Sequence, residues 1–333
     1  MSTTASYTRA APPLRQGPGR RSSPLEWRWR DRAALVLAWA AGLGLCAIAG
    51  AIVVYMAFRG IQYLEPKLLV TRPQVSASQA GSGGFLDPIL GTLILGAIGI
   101  VIAFPLGAAT ALWVVEYGRP RWLARVVESS IEIVAGTPDI VIALFGLAVF
   151  QLSFMAPFSF RAEGGGVFGK SFLAAGAMMS LIALPPVFAA TRDGLQAVPS
   201  HMREAAYALG KTRIATIRSV LLPSVRSNMA TGVTLGISRI IGDTAIVVLL
   251  LGESTRIEPQ GNVPVVGLLR GTGTTLTNYI YSNSPAGEGQ APEKAYAAAF
   301  VLMVFVLGLN LIVDRIGRSQ ADATGLTVAG AVV

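Results

Sequence analysis

T-R-D-G-L-Q-A-V-P-S-H-M-R-E-A-A-Y-A-L-G-K-T-R-I-A-T-I-R-S-V-L-L-P-S-V-R, residues 191–226, is a polar, cation-rich insert flanked on both sides by long apolar segments. Its Ala-rich first half favours a short helix. Gly210 permits a positive-φ turn that ends this helix. A second short helix is expected over Thr212–Val220, running to Pro223. Small alanines allow a partner's backbone to approach closely, and Arg203 and Glu204 offer charge pairs at the rim. So orderly a stretch is expected to be a docking platform on the cytoplasmic face of a membrane protein rather than a simple connector.

The flanks supply the membrane. Of the 333 residues, 53% are apolar and only 14% charged, against about 25% charged in soluble domains. Six apolar runs reach about the 20 residues needed to cross a bilayer: Ala33–Phe58, Ile89–Val115, Ala135–Met155, Ser171–Ala190, Met229–Leu251 and Ala295–Val313. The expected fold class is therefore an all-α polytopic membrane protein with six transmembrane helices. With both termini placed in the cytoplasm, 18 of the 27 Lys and Arg fall on that side and eight on the other. This bias fits the positive-inside rule. The net charge of +9 is thus assigned to orientation and anionic lipid headgroups rather than nucleic acid.

Residues 1–32 are Ser-, Pro-, Arg- and Gly-rich without apolar periodicity, and are expected to form a disordered basic cytoplasmic tail. The apolar run that follows is about twice the length of a signal-peptide core, which makes 33–58 an uncleaved first span. An external loop over 59–88, a permease-like body over 89–317 and a cytoplasmic tail over 318–333 complete the organisation. Pro105 and Pro185-Pro186 lie inside the second and fourth spans, where kinks are expected. The external segment 252–294 contains G-T-G-T-T-L-T-N-Y-I-Y, mildly apolar enough for a re-entrant or partly packed element. Cys46 and His201 each stand alone, so no intrachain disulfide or Cys/His metal site is expected. Gly164–Ser171 fits the bare pattern of a nucleotide-binding loop, but it falls on an external loop without the required strand-to-helix setting.

Within the quoted insert, Glu204-Ala205-Ala206, Gly210, Val220, Leu222 and Pro223 have the spacing of the EAA loop, and the chain resembles prokaryotic ABC importer permeases. A-L-W-V-V-E-Y-G-R (111–119), E-I-V-A-G-T-P-D-I-V-I-A-L-F-G (132–146) and S-R-I-I-G-D-T-A (238–245) are similar to the PstA-type permeases of phosphate importers. The resemblance covers most of residues 90–316. It implies a type I ABC importer permease (MetI-like) fold and no cofactor in this chain, with ATP and Mg on a partner. It further implies a homologous permease subunit, two ATP-binding subunits docked under the first short helix, and an extracytoplasmic phosphate-binding protein. Two positions depart from the family: Asp243 stands where Glu is usual, and Asp139 where a small neutral residue is usual.

Arg239 and Asp243 are the sharpest candidates for the substrate pathway. Arg239 lies ten residues into its span, about 15 Å deep at 1.5 Å per residue, and it is the sole Lys or Arg inside the expected spans. A lone cation there costs roughly 2.5–3.5 kcal/mol, and Asp243, four residues on, falls on the same helix face. Gly232 and Gly236 share that face and suit a close helix contact. An Arg239–Asp243 pair that opens to a phosphate dianion is one reading, since a guanidinium offers forked donors; a static salt bridge is the other. Asp139 reads as an acid complementing the dipole of a helix that Thr137 caps and Pro138 opens, or as a pathway residue. Glu128 and Glu132 are expected to be solvated or to bridge helices.

Transport of sulfate, molybdate or another oxyanion is an alternative within the class. A proton-coupled secondary transporter using Asp139 and Asp243 is the alternative outside it. An integral membrane enzyme would need a His, Asp or Ser constellation that the sequence does not cluster.

Overall fold

The computed structural model describes residues 29–74, 83–160, 166–252, 254–261, 263–285, 287 and 291–323. The expected disordered tail, apart from its last four residues, and the final ten residues of the carboxyl tail lie outside them, as does part of the nucleotide-loop lookalike. The described residues are overwhelmingly helical, and their β-structure is limited to isolated bridge residues, among them the pairs Pro73 with Gly83 and Glu258 with Thr272.

Two units divide the chain, Met1–Tyr55 and Met56–Val333. The first contains most of helix α1 (Trp29–Gln62), 34 residues with one acid, Asp31, in its first turn. Leu37, Leu45 and Ile52 are exposed along it. Apolar side chains around its whole circumference make sense in lipid, where that surface needs no protein cover.

The second unit opens with the short α2 (Pro66–Val70), followed by α3 (Leu86–Leu112), α4 (Arg121–Gly136) and α5 (Asp139–Phe150). Then come α6 (Phe172–Ala197) and the short α7 (Ser200–Ala208), α8 (Arg213–Thr216) and α9 (Leu222–Ser224). The chain finishes with α10 (Arg226–Gly242), α11 (Ala245–Leu250), α12 (Pro264–Arg270), α13 (Leu276–Asn283) and α14 (Pro292–Ala323). Helices α3 and α6 run through Pro105 and Pro185-Pro186 without interruption.

Among the described residues, four helical stretches are long and apolar enough to cross a membrane: Asp31–Gln62, Leu86–Tyr117, Phe172–Ala197 and Pro292–Val313. A fifth arises if α4 and α5, bent by 105° at Thr137-Pro138, count as one broken span. The expected single span Met229–Leu251 is instead divided into α10 and α11. Gly242 ends α10, and Asp243 is extended at φ −78° and ψ 139°. A Gly followed by an acid that serves as a helix cap is a stronger local signal than the apolar content around it.

The core of this unit is built where α3, α6 and α10 press together. Leu95, Ala103, Met179, Ile182, Ala183 and Ile240 are buried there, joined by Ile142 of α5 and Ile246 and Leu250 of α11. Small residues set the separation. A Cβ added to Gly232 would come 3.0 Å from Val187 Cα, and one added to Gly236 would come 3.4 Å from Ala183 Cβ. The expected glycine contact therefore forms, with α6 as its partner. At the opposite end from the 191–226 loop, Thr92 Oγ1 accepts from Leu276 N at 2.9 Å and ties α13 to α3. Phe85 and Tyr279 meet at 5.9 Å between ring centroids. The segment around G-T-G-T-T-L is thus a packed element, with Thr274, Thr275, Leu276 and Asn278 buried.

Filling the α6–α10 contact should be costly. Gly232→Leu is expected to destabilise the unit by about 1–3 kcal/mol through overpacking, read as a lower unfolding midpoint in detergent. Gly308→Ala, where an added Cβ meets nothing within 4 Å, should leave that midpoint in place.

Candidate functional site

Two features bring chemistry-bearing side chains together. The first lies where the two helix breaks meet. Ending α10 at Gly242 leaves Arg239 in the last helical turn, and ending α4 at Gly136 leaves Asp139 in the first turn of α5. A cation at a helix C-terminus and an anion at an N-terminus each complement the local dipole. Arg239 Nη2 stands 3.4 Å from Asp139 Oδ1, with the side chains 40% and 33% exposed. The pair is therefore open to a ligand or a neighbouring surface rather than sealed in the core.

Asp243 is not the partner of Arg239. Its Oδ2 accepts from Ile246 N at 2.8 Å, and its backbone carbonyl accepts from Thr277 Oγ1 at 3.3 Å. The expected pair presumed a continuous helix, which would put residues 239 and 243 on one face. The break turns Asp243 inward, where it is buried and caps α11. Thr137 does not cap α5 either: its hydroxyl donates to Ile133 O at 2.7 Å within α4, and Pro138 occupies the capping position. Asp139 remains at the helix start, as the dipole argument requires. Glu128 bridges to Arg192 of α6 at 3.0 Å, while Glu132 is exposed.

The second feature is the 191–226 loop. Helix α7 ends at Ala208, and Gly210 takes φ +77° with open space around it, the turn expected from the sequence. Thr212 then caps α8 by accepting from Ala215 N. The expected second helix does not stop at Pro223. A π-turn over Ile217–Leu221 widens the ladder, and Pro223 sits at the start of α9. Pro223 cannot donate a backbone hydrogen bond, and the widened turn accommodates that loss. Val220, Leu222 and Pro223 are partly buried, and Leu222 packs against the buried Leu195, Val198, Ile217, Leu221 and Val225.

Glu204 and Ala205 face outward, and Tyr207 and Leu209 are exposed beside them, Leu209 by 81%. Ala206 is buried. Arg203 is not at a rim. Its Nε donates to Glu116 Oε1 at 3.0 Å, Nη1 to Val198 O at 2.8 Å and Nη2 to Leu195 O at 2.8 Å. The two carbonyls belong to the C-terminal end of α6, whose orphan acceptors attract a cation. Glu116 itself lies in a π-turn, Trp113–Tyr117, that continues α3. Sequence reasoning assigned it no role; its one signal was the E-Y-G-R stretch inside a family-like segment.

The described residues contain no cluster of three or more His, Cys, Asp or Glu able to hold a metal. Removing the α11 cap is expected to cost about 1 kcal/mol. Asp243→Ala should lower the unfolding midpoint, whereas Asp243→Asn, which keeps an acceptor oxygen, should retain most of the stability.

Residues 103–322 match the family described as binding-protein-dependent transport system inner membrane component. The chain is 33% identical over 230 residues to a phosphate transport system permease protein PstA 1 of Mycobacterium tuberculosis, covering 69% of each. It is 32% identical over 237 residues to a phosphate transport system permease protein PstC of Xylella fastidiosa, covering 67% of this chain and 69% of that one. Among solved structures it is similar in fold to a chain of the MetNI methionine ABC transporter in an inward-facing conformation, with a TM-score of 0.54, 17% identity and coverage of 71% and 95%. It is likewise similar to a chain of a bacterial alginate ABC transporter in complex with its alginate-bound periplasmic protein. That match has a TM-score of 0.58, 18% identity and coverage of 88% and 98%.

Proposed function

Because this chain belongs to the family of binding-protein-dependent transport system inner membrane components, we propose that it is a permease subunit of an ATP-driven inorganic phosphate importer. It is a multi-pass membrane protein of the ABC importer permease fold. The cargo reading is carried by the relatives named as phosphate permeases, and the open Arg239–Asp139 pair offers the place where an anion would be met. In this reading both termini and the 191–226 loop face the cytoplasm of a bacterial plasma membrane. A homologous permease completes the pathway, and two ATP-binding subunits dock under α7. An extracytoplasmic binding protein delivers phosphate to the far side. Hydrolysis belongs to the docked subunits, and this chain contributes the path.

A phosphate crossing a low-dielectric interior needs compensation for its charge. Arg239 supplies it with forked, charge-assisted donors. At rest Asp139 satisfies the guanidinium. Phosphate displaces that carboxylate as it arrives, and Asp139 recaptures Arg239 as it leaves. The exchange keeps the cation from standing alone, which the membrane interior penalises. Asp243 has no part in it beyond holding the break that positions Arg239. That commitment to a cap also leaves little support for a proton-coupled mechanism through Asp243. The guanidinium alone does not choose among oxyanions, and the binding protein supplies most of the selectivity.

The test is ATP-dependent uptake by the complex reconstituted in vesicles, with sulfate and arsenate as competitors. Phosphate uptake that sulfate does not suppress is expected; sulfate transport in its place would overturn the cargo. Arg239→Ala should lower uptake about ten- to hundredfold, the worth of a charge-assisted hydrogen bond. Arg239→Lys should fall between, having lost the fork. Undiminished uptake in both variants, with normal assembly, would remove Arg239 from the pathway.

A further inference from the structure

We propose that Glu116 and Arg203 form a positioning clamp that carries movement of the docking helix α7 into the ends of α3 and α6. The inference rests on the transport reading for its consequence and on local geometry for its existence. Arg203 is the hub. Three of its guanidinium nitrogens donate, one to Glu116 beyond α3 and two to the Leu195 and Val198 carbonyls at the end of α6. Its own backbone belongs to α7. One side chain thus fixes three elements, with the arginine 21% and the glutamate 8% exposed.

The shielding of the pair matters. An ion pair in open water contributes little and rearranges freely. A largely buried arginine with three hydrogen bonds cannot leave one partner without stranding polar groups. The other half of the loop grips the same turn of chain. Arg213 lies 5.2 Å from the centroid of the Tyr117 ring, and its Nη1 is 3.5 Å from Glu116 O. Arg203 precedes Gly210 and Arg213 follows it, so both sides of the loop close on Glu116-Tyr117 while the Gly210 turn projects free.

Displacement of α7 therefore cannot be absorbed at its root. It is delivered to α3 and α6, and through the Gly232 and Gly236 contact to α10, which carries Arg239. A docking residue would be needed for the ATP-binding subunit to attach. A clamp residue is needed for attachment to do work. The two roles separate in the ratio of phosphate moved to ATP hydrolysed.

In the reconstituted complex, Glu116→Ala is expected to lower that ratio at least fivefold while the ATP-binding subunits still copurify. Glu116→Gln, which keeps an acceptor for Nε, should lower it less. The double variant Glu116→Ala with Arg203→Met should be no worse than Arg203→Met alone, because the two side chains act as one unit. An unchanged ratio in Glu116→Ala, or uptake and hydrolysis falling in parallel, would overturn the clamp. If Glu116→Ala does not assemble, the ratio in the isosteric Glu116→Gln decides. Amide hydrogen exchange supplies a readout independent of cargo. Residues 203–209 should exchange about tenfold faster in Glu116→Ala and less so in Glu116→Gln, and unchanged exchange in both would overturn the proposal even if the transported anion is not phosphate.

Discussion

Inside a bilayer a helix can be broken only where a neighbouring element, a side chain or trapped water satisfies the freed backbone groups. This chain breaks twice, at Thr137-Pro138 and at Asp243-Thr244, and the arrangement around Arg239 follows from how each break is satisfied. Asp243 caps α11 with its carboxylate, and Thr277 donates to its carbonyl. Asp139 opens α5, and Arg239 closes α10. A cation and an anion come together because each is stabilised by the helix end it sits on. The ion pair is as much a product of two helix terminations as of mutual attraction.

The break also separates two carboxylates that look equivalent in the sequence. Asp139 is partly exposed and bound to a guanidinium, whereas Asp243 is buried and bound to a backbone amide. Asp139 is the carboxylate whose partner is a partly exposed guanidinium. Asp243, nearer to Arg239 along the chain, is bonded to the start of α11 instead.

Much of the helical organisation was legible from apolar runs, since length and composition alone distinguish a membrane span. The Gly210 turn and the glycine contact of α10 were legible as well, because both depend on the absence of a Cβ, a property written in the residue itself. What was not legible depended on tertiary partners. A periodicity argument carries Arg239 and Asp243 along one continuous helix and cannot register a break whose satisfaction comes from Ile246 and Thr277. Arg203 looked like a surface charge because nothing local reveals that α6 ends beside it with two unpaired carbonyls. Glu116 was invisible for the same reason: its partner lies 87 residues away.

Helix α10 connects the two sites physically. It starts at Arg226, where the 191–226 loop ends, and reaches Arg239 thirteen residues later, about 20 Å along its axis. Gly232 and Gly236 hold it close against α6, with only the short side chains of Ala183, Val187 and Ala190 at the contact. The C-terminal end of α6 accepts hydrogen bonds from Arg203. A rod packed through small side chains transmits displacement better than one cushioned by long ones, because close-packed interiors have little compressibility. The loop and the ion pair need no relay of switching side chains between them. Between them lie α6 and α10, held together at the glycines, so in the clamp proposed above a shift at the root of α7 would reach Arg239 as a shift of the end of α10 relative to α5. The bond such a shift would strain first is the one between Arg239 and Asp139, because its two ends belong to different helices and neither side chain is enclosed.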